Sequence, residues 1–253
     1  MQNEALQYKT LFLTEDKYNG FTLDNKKVFC DTKDFENNIK ELLDTLRKEK
    51  RRLLWIPLDI KQASYIPILT KMGFFFHTCE KDKLLLVKEL SSTCIIPTAS
   101  NHTLGVGVVV FNNKNEVLLV KEKYSNIGFK LPGGHIDDGE LITSAAIREV
   151  KEETGIDIEF QSIVSLGHFF PHQFNKSNLY ILCIAKALSS EINIQDTHEI
   201  LECKWIDIQT YINDEDAFAY NKEIVKIALK QKGLKQKEFN SFRSTLKHYE
   251  LFF

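Results

Sequence analysis

The chain has 253 residues, of which 43% are hydrophobic and 27% charged, so it can build one large soluble domain or two ordinary ones, and disorder is not expected. Its formal net charge is −2, from 33 basic and 35 acidic residues, and this balance favours neither nucleic acid nor an anionic membrane as a partner. The five cysteines stand far apart without a Cys-x-x-Cys pair, which argues against a disulfide framework and a zinc site. No signal-peptide pattern or membrane-length apolar run is present, so the sequence predicts a cytoplasmic protein without a membrane partner.

A polar stretch between residues 91 and 102 separates two apolar blocks, and we expect domains at 1–95 and 96–253. In the first domain a helix is predicted with Asp31 or Thr32 as its cap. A strand at 53–57, a helix over 61–72 that ends at Gly73, and a hairpin of strands at 74–76 and 84–87 follow. The apolar positions that define the first helix are Phe35, Ile39, Leu42, Leu43 and Leu46. The pattern indicates a small α/β domain.

The second domain opens with a predicted β-hairpin at 105–111 and 117–120. A helix is expected over 139–154, with Asp138 as its cap and Gly155 ending it in a left-handed conformation. Strands are expected near 157–166 and 179–187 and before Trp205, and a further helix passes through Ile224. The side chains predicted on the buried side of the 139–154 helix are Leu141, Ala145, Ile147 and Val150.

The 139–154 helix also carries three acids at i, i+3 and i+4, namely Glu149, Glu152 and Glu153, which places them on one helix face. Like charges at this spacing repel, and a divalent cation would relieve the repulsion. Mg²⁺ prefers carboxylate and carbonyl oxygen and leaves sites for water and phosphate. The turn at Gly133 and Gly134 can direct a backbone carbonyl to the same point. From the three acids alone, a solvated acidic helix face stays an open alternative.

The wider register is more specific. Gly134 is followed after five residues by Glu140 and after seven more by Arg148-Glu149-Val150-Lys151-Glu152-Glu153-Thr154-Gly155-Ile156. This pattern resembles the signature box of the Nudix hydrolases at every fixed position. The resemblance implies an α/β/α sandwich with a mixed sheet, and an enzyme that hydrolyses a nucleoside diphosphate linked to another moiety. It also implies Mg²⁺ as the cofactor, with Mn²⁺ as a substitute.

The resemblance assigns roles to the box residues. Glu152 and Glu153 would be principal metal ligands, and Glu149 a ligand or the base that activates water. The carbonyl of Gly133 or Gly134 would complete a metal shell.

The resemblance also suggests roles for three further residues. Arg148 would orient a box glutamate, and Glu140 would support the metal or form a salt bridge. In some Nudix branches the base lies on a later loop, where Glu199 is the best candidate in this chain. An exposed loop acid is the alternative for Glu199.

The substrate has weaker sequence support. Pro171 lies sixteen residues after the glycine that ends the box, where ADP-ribose pyrophosphatases of the family often carry proline. An ordinary turn proline would look the same. His168, Phe169, Phe170 and Phe174 surround it and could stack on a base or ribose, or could serve only in packing.

The first domain has a resemblance of its own, carried by Trp55-Ile56-Pro57-Leu58, Ile66-Pro67 and Gly73-Phe74-Phe75-Phe76-His77. These motifs are similar to the pre-Nudix domain of a two-domain Nudix subgroup that includes plant enzymes acting on ADP-ribose and NADH. That domain resembles part of an acetyltransferase fold, and the resemblance implies a homodimer. The function expected is therefore pyrophosphate hydrolysis, leaning to ADP-ribose or NADH.

Two other functions compete with it. A catalytically inactive Nudix fold could serve as a nucleotide sensor or a protein-interaction module, although such proteins have usually lost box acids. Acyl transfer by the first domain is disfavoured, because coenzyme pyrophosphate binding needs a glycine-rich loop and residues 1–95 contain only Gly20 and Gly73.

Overall fold

The structure is a computed structural model that describes residues 5–28, 30–238 and 248–253. The chain forms two compact units, Met1–Ser100 and Asn101–Phe253. None of the helices in these described ranges combines the length and the apolar character that a bilayer crossing requires.

The first unit contains a six-stranded sheet in the order β1-β2-β3-β4-β6-β5. Its strands are β1 (Ala5–Tyr8), β2 (Leu11–Glu15), β3 (Phe21–Leu23), β4 (Leu53–Asp59), β5 (Phe75–Cys79) and β6 (Lys83–Glu89). Neighbours are antiparallel except β3 and β4, which run parallel. The sequence predicted β4, β5 and β6 but not β1 to β3, which have only three to five residues each.

The helices of the first unit pack on this sheet. Helix α1 (Thr32–Lys48) begins with Asp31 as its cap, whose side chain accepts a hydrogen bond from the Asp34 amide at 2.8 Å. The helix expected over 61–72 is a 3₁₀ turn (Ile60–Tyr65) followed by helix α2 (Ile66–Lys71), because Pro67 suits only the first turn of a new α-helix. The chain then leaves α2 through Gly73, at φ +80°.

The second unit contains the sheet order β10-β11-β7-β8-β12, with β9 paired to β8. Its strands are β7 (His102–Phe111), β8 (Glu116–Glu122), β9 (Phe129–Lys130), β10 (Ile158–Phe169), β11 (Ser177–Ala187) and β12 (Ile200–Asp207). Strands β7 and β11 pair in parallel, and the other pairs are antiparallel. The mixed sheet expected from the sequence is confirmed.

Helices cover both faces of this sheet: α3 (Ile142–Thr154) one face, and α4 (Ile208–Asn213) with α5 (Ala219–Lys230) the other. Alternation along β7 shows the layering, since Val106 and Val108 pack with α3 while Val109 packs with α4 and α5. This is the three-layer α/β/α sandwich.

Helix α3 differs from the sequence prediction at its start and on its buried side. It begins at Ile142 rather than 139, because residues before it form a turn in which the Glu140 amide donates to the carbonyl of Asp137 at 3.0 Å. Asp138 is therefore not its cap. Ile147, expected to be buried, is 43% exposed.

The buried side of α3 instead follows helical spacing through Ala146, Val150, Glu153 and Thr154. Gly155 ends the helix at φ +77°, as predicted.

Candidate active site

The glycine turn before α3 enters the sheet between β7 and β8. The Val106 amide donates to the carbonyl of Gly134 and the Val108 amide to that of Pro132, each at 2.9 Å. Gly133 has φ +144°, and a Cβ atom there would lie 2.1 Å from the carbonyl oxygen of Val106. Only glycine fits so close to the neighbouring backbone. The turn is thereby fixed against the central strand of the sandwich.

Arg148 lies at the centre of one group of carboxylates. Its guanidinium donates to both carboxylate oxygens of Glu140 at 2.8 Å, to Glu149 at 2.9 Å and to Glu152 at 3.1 Å. It also donates to the carbonyl of His135 at 3.0 Å. One planar cation therefore holds together the glycine turn, Glu140 in the turn before α3, and two acids of α3.

Glu153 belongs to a second group. Its side chain is buried, and one carboxylate oxygen accepts a hydrogen bond from the Gly133 amide at 2.8 Å. Carboxylate oxygens of Glu122, Glu153 and Glu199 lie within 4.8 Å of one another. Glu122 ends β8 and forms an ion pair with Lys130. The helix, a sheet strand and a later loop thus each contribute one acid.

The three box acids consequently differ in their surroundings. The carboxylate of Glu149 lies against Gly134, where a Cβ would come within 2.7 Å of its oxygen, and the side chain is 13% exposed. Glu152 is 48% exposed at the side chain and pairs with Arg148. Glu149 and Glu153 lie on the sheet side of α3 and Glu152 on its solvent side, so the prediction of a single shared face holds only in part.

Burial governs the proton affinity of these acids. It raises the pKa of Glu153 to about 8; the charges of Glu149 and Glu199 add to the rise, while Lys130 and the Gly133 amide oppose it. Burial also raises the pKa of Glu149, against hydrogen bonds from Arg148.

The residues of the site fit a hard divalent cation. The donor set is all carboxylate oxygen, and one member of the group, Glu153, is buried, with Lys130 as a nearby cation. The raised pKa of Glu153 shows that burying its charged form costs free energy, and a bound divalent ion would offset that cost. Glu140, by contrast, has both carboxylate oxygens bonded to Arg148, and Asp137 donates a backbone hydrogen bond to it at 3.0 Å. Those hydrogen bonds lower the pKa of Glu140.

An open cavity of about 410 Å³ adjoins the second acidic group and is lined by Glu122, Tyr124, Asp196, His198 and Glu199. Sequence reasoning missed Glu122, Tyr124 and His198, because strand-end and loop residues have no fixed spacing from the box. A larger cavity, about 610 Å³, lies along β10 and α5 and contains no box acid. The carboxylates in its lining, rather than its volume, make the smaller cavity the candidate site.

The aromatic segment predicted for substrate binding lies at the end of β10 and in the loop after it. His168 stacks on His102, with ring centroids 5.1 Å apart, and Phe169 packs edge-on against Tyr220 at 6.1 Å. Phe170 is 65% exposed and Pro171 is exposed beside it.

Tyr180, on β11, packs against the same core cluster as Tyr220. Burial raises its pKa, and the charges of Glu153 and Glu149 and the hydroxyl of Tyr220 add to the effect. The Tyr220 hydroxyl is itself buried without a hydrogen-bond partner among the described residues.

Known proteins resemble both units. A family model described as the NUDIX domain matches residues 101–226, and one described as a Nudix hydrolase domain matches 11–90. Nudix hydrolase 8 of Arabidopsis thaliana is 35% identical over 84% of this chain and 59% of its own length. Nudix hydrolase 2 of the same plant is 34% identical over 84% of this chain and 77% of its own length.

The animal relatives include Nucleoside diphosphate-linked moiety X motif 6 of Homo sapiens, 32% identical over 77% of this chain and 63% of that protein. The chain thus spans between about three fifths and three quarters of the curated relatives it matches. These matches agree with the box on α3 and with the two-domain arrangement expected from the sequence. The chain belongs to the Nudix hydrolase family.

Proposed function

We propose that this protein hydrolyses the pyrophosphate bond of a nucleoside diphosphate linked to another moiety, with Mg²⁺ as its ion and Mn²⁺ as a substitute. The observation that carries the proposal is that carboxylate oxygens of Glu122, Glu153 and Glu199 lie within 4.8 Å of one another. On the same helix as Glu153, Arg148 holds the other box acids through ion pairs. A diphosphate could approach through the cavity that these acids line.

Glu153, Glu122, Glu199 and Glu149 would hold the ion or ions. Glu152 could join them, since its ion pair with Arg148 uses one of its two carboxylate oxygens. When bound, Mg²⁺ supplies a more acidic water and stabilises negative charge on phosphate oxygens.

A backbone carbonyl oxygen, that of Gly134, could be a further ligand of the ion. The Gly134 carbonyl accepts one hydrogen bond from Val106, and a carbonyl oxygen has two lone pairs. The second lone pair could face an ion beside Glu149.

Two residues could accept the proton of the attacking water. Glu149 lies in a mostly buried position that raises its pKa, which makes it a better proton acceptor than an exposed acid. Glu199 lies on the loop before β12 and faces the cavity. Water would add to one phosphorus, the bridging P–O bond would break, and two phosphomonoesters would leave. Arg148 and Glu140 would hold the helix acids in place throughout.

The proposed substrates are ADP-ribose and NADH. Support comes from Pro171 at its position after the box, from exposed Phe170 beside it, and from His168 at the same end of β10. An adenine or nicotinamide ring could stack on such side chains. From the resemblance of the first domain we also infer a homodimer, which light scattering would test. The cytoplasmic location predicted from the sequence pattern stays a proposal, which cell fractionation would test.

The test is a substrate panel with product identification. The purified chain is incubated with ADP-ribose, NADH, dinucleoside polyphosphates and nucleoside triphosphates, with Mg²⁺ or with EDTA, and products are separated by chromatography. We expect AMP from ADP-ribose or NADH only when the ion is present, and none from a Glu153→Gln control. Failure to cleave any substrate would refute the proposal, and tight binding of unchanged nucleotide would favour the sensing module.

A further inference from the structure

The N-terminus of helix α3 has no local cap. Its N-cap residue, Leu141, cannot accept a hydrogen bond through its side chain, and the first turn contains no acid. Unpaired amides at a helix start need a partner, and a negative charge there is favoured by the helix dipole.

That partner comes from a distant part of the chain. The Glu250 carboxylate accepts hydrogen bonds from the amides of Ile142 at 2.7 Å and Thr143 at 3.2 Å, and also from the Thr143 hydroxyl. The two sites are 108 residues apart in sequence for the Ile142 contact. Glu250 therefore performs the capping that the sequence suggested for Asp138.

The segment that carries Glu250 is itself held in place. Lys235 and Phe253 exchange two backbone hydrogen bonds, at 2.9 and 3.0 Å, and the Lys237 amide donates to the carbonyl of Leu251 at 2.9 Å. These contacts pair residues 251–253 with 235–237 as a short antiparallel ribbon.

Packing anchors the same segment to the sandwich. The Phe252 ring lies 5.8 Å from that of Phe160 on β10 and contacts the core that α3 contributes to. Leu234, just before the ribbon, pairs with Ile163 on β10 through two hydrogen bonds, at 2.8 and 2.9 Å. The ribbon is thus fixed on the sheet before it reaches α3.

The capped end is close to the chemistry. Glu140, whose carboxylate orients Arg148, stands two residues before Ile142, and Glu149 lies two turns further along the helix. The first turn of α3 joins Glu140 to the part of the helix that carries Arg148. If that turn loosened, the distance between the two side chains would no longer be fixed, and the ion pair between them would weaken.

We infer that Glu250 is a positioning residue for the proposed reaction: its carboxylate caps the box helix and sets the place of Arg148 and the acids that Arg148 holds. Glu250 belongs neither to the acidic group that would hold the ion nor to the lining of the cavity beside it. The inference rests on the proposed function for its catalytic consequence, but the cap itself can be measured without turnover.

The experiment compares Glu250→Ala and Glu250→Gln with the double variant Glu250→Ala/Leu141→Asp, all in the full chain. Aspartate at the N-cap position supplies a local cap, and Leu141 is not part of the buried core. Glu238→Ala is the matched control, because Glu238 is an exposed acid shortly after the ribbon strand 235–237. Activities are measured at a temperature where circular dichroism shows every variant folded.

In Glu250→Ala we expect amide hydrogen exchange over residues 142–145 to accelerate about tenfold. Mn²⁺ affinity, measured by electron paramagnetic resonance, should fall, and kcat should fall roughly 3- to 10-fold with little change in KM. Glu250→Gln should lie between this variant and the wild type. The double variant should recover exchange and kcat to within about twofold of wild type, and Glu238→Ala should match wild type.

If amide hydrogen exchange over residues 142–145 in Glu250→Ala were as slow as in the wild type, Glu250 would not be the cap of α3. Accelerated exchange with unchanged kcat and Mn²⁺ affinity would overturn the positioning role, as would recovered exchange without recovered kcat in the double variant. If the wild type itself cleaves nothing on the panel, the proposed function fails, and exchange with Mn²⁺ affinity still decides for or against Glu250.

Discussion

Arg148 and Glu140 form a two-point ion pair, with Nε to Oε1 and Nη2 to Oε2 distances of 2.8 Å each. The same guanidinium reaches Glu149 and Glu152. Repulsion among the acids of α3 is therefore relieved in part by a resident arginine. Glu153 accepts no hydrogen bond from Arg148, and burial, together with the charges of Glu149 and Glu199, raises its pKa. In the proposed reaction, a cation would therefore bind on the side of the helix that faces the sheet, where Glu153 meets Glu122 and Glu199.

Arg148→Lys should lower activity although it keeps the charge. A lysine ammonium cannot contact both oxygens of Glu140 while reaching two further carboxylates. Loss of an orienting partner of metal ligands typically costs 10- to 100-fold, and we expect a fall of about that size in kcat/KM.

The matched control is Lys151→Ala on the same helix, since Lys151 pairs with Asp157 rather than with the box acids. Steady-state kinetics at saturating Mg²⁺ provide the measurement. Equal activity of Arg148→Lys and wild type would contradict the orienting role.

Glu153→Gln should abolish most turnover but should not destabilise the metal-free protein. Glutamine keeps an oxygen that can accept the Gly133 amide, and it has no group that must take up a proton on folding in order to be buried. We expect turnover to fall at least about 100-fold, with an unchanged or higher thermal midpoint in EDTA. A variant with full activity would defeat the role given to Glu153.

The pH dependence of stability should change with the same substitution. The folded-state pKa of Glu153 is about 8, whereas an unfolded glutamate titrates near about 4.3. Between these values the folded protein holds a proton that the unfolded chain has lost, so stability falls as pH rises. In EDTA, the thermal midpoint of wild type should fall more steeply from pH 5 to about pH 8 than that of Glu153→Gln. Parallel curves would contradict the raised pKa.

Glu122→Gln should weaken ion binding without unfolding the protein. Glu122 brings a carboxylate to Glu153 and Glu199, and its loss leaves two acids in that group. We expect the Mg²⁺ concentration for half-maximal activity to rise roughly tenfold, as for loss of one hard ligand. Glu202→Gln, an exposed acid on β12, is the control. An unchanged Mg²⁺ requirement would remove Glu122 from the site.

Gly133→Ala should destabilise the second unit. Its φ of +144° is unfavourable for alanine, and the added Cβ would lie 2.1 Å from the Val106 carbonyl oxygen. We expect a loss of at least about 2 kcal/mol in the free energy of unfolding, from backbone strain and overpacking together.

Gly128→Ala separates these two causes, because φ there is +61° but the space around the new Cβ is open. Its cost should be about 1 kcal/mol. Urea unfolding of both variants provides the comparison, and equal costs would argue against the close approach at Gly133.

The sequence alone was sufficient for the features that depend on short-range spacing. Gly134, Glu140, Arg148 and Gly155 stand in a register that identified the family, and helical periodicity located α1 and α5. Gly155 ends α3 as expected, because a left-handed residue at a helix end is a local requirement.

The tertiary structure decided what depends on distant segments meeting. Glu122, on a strand before the box, and Glu199, on a loop after it, reach Glu153 only because β8 and β12 are neighbours in the sheet. Glu250 caps α3 across 108 residues, where local reasoning chose Asp138. Spacing within one helix determines which side chains can share a face. Strand order in the sheet, and the path by which the C-terminal segment comes back to α3, decide which face of the helix is buried and which distant acids lie beside it. No local sequence pattern encodes that strand order or that path.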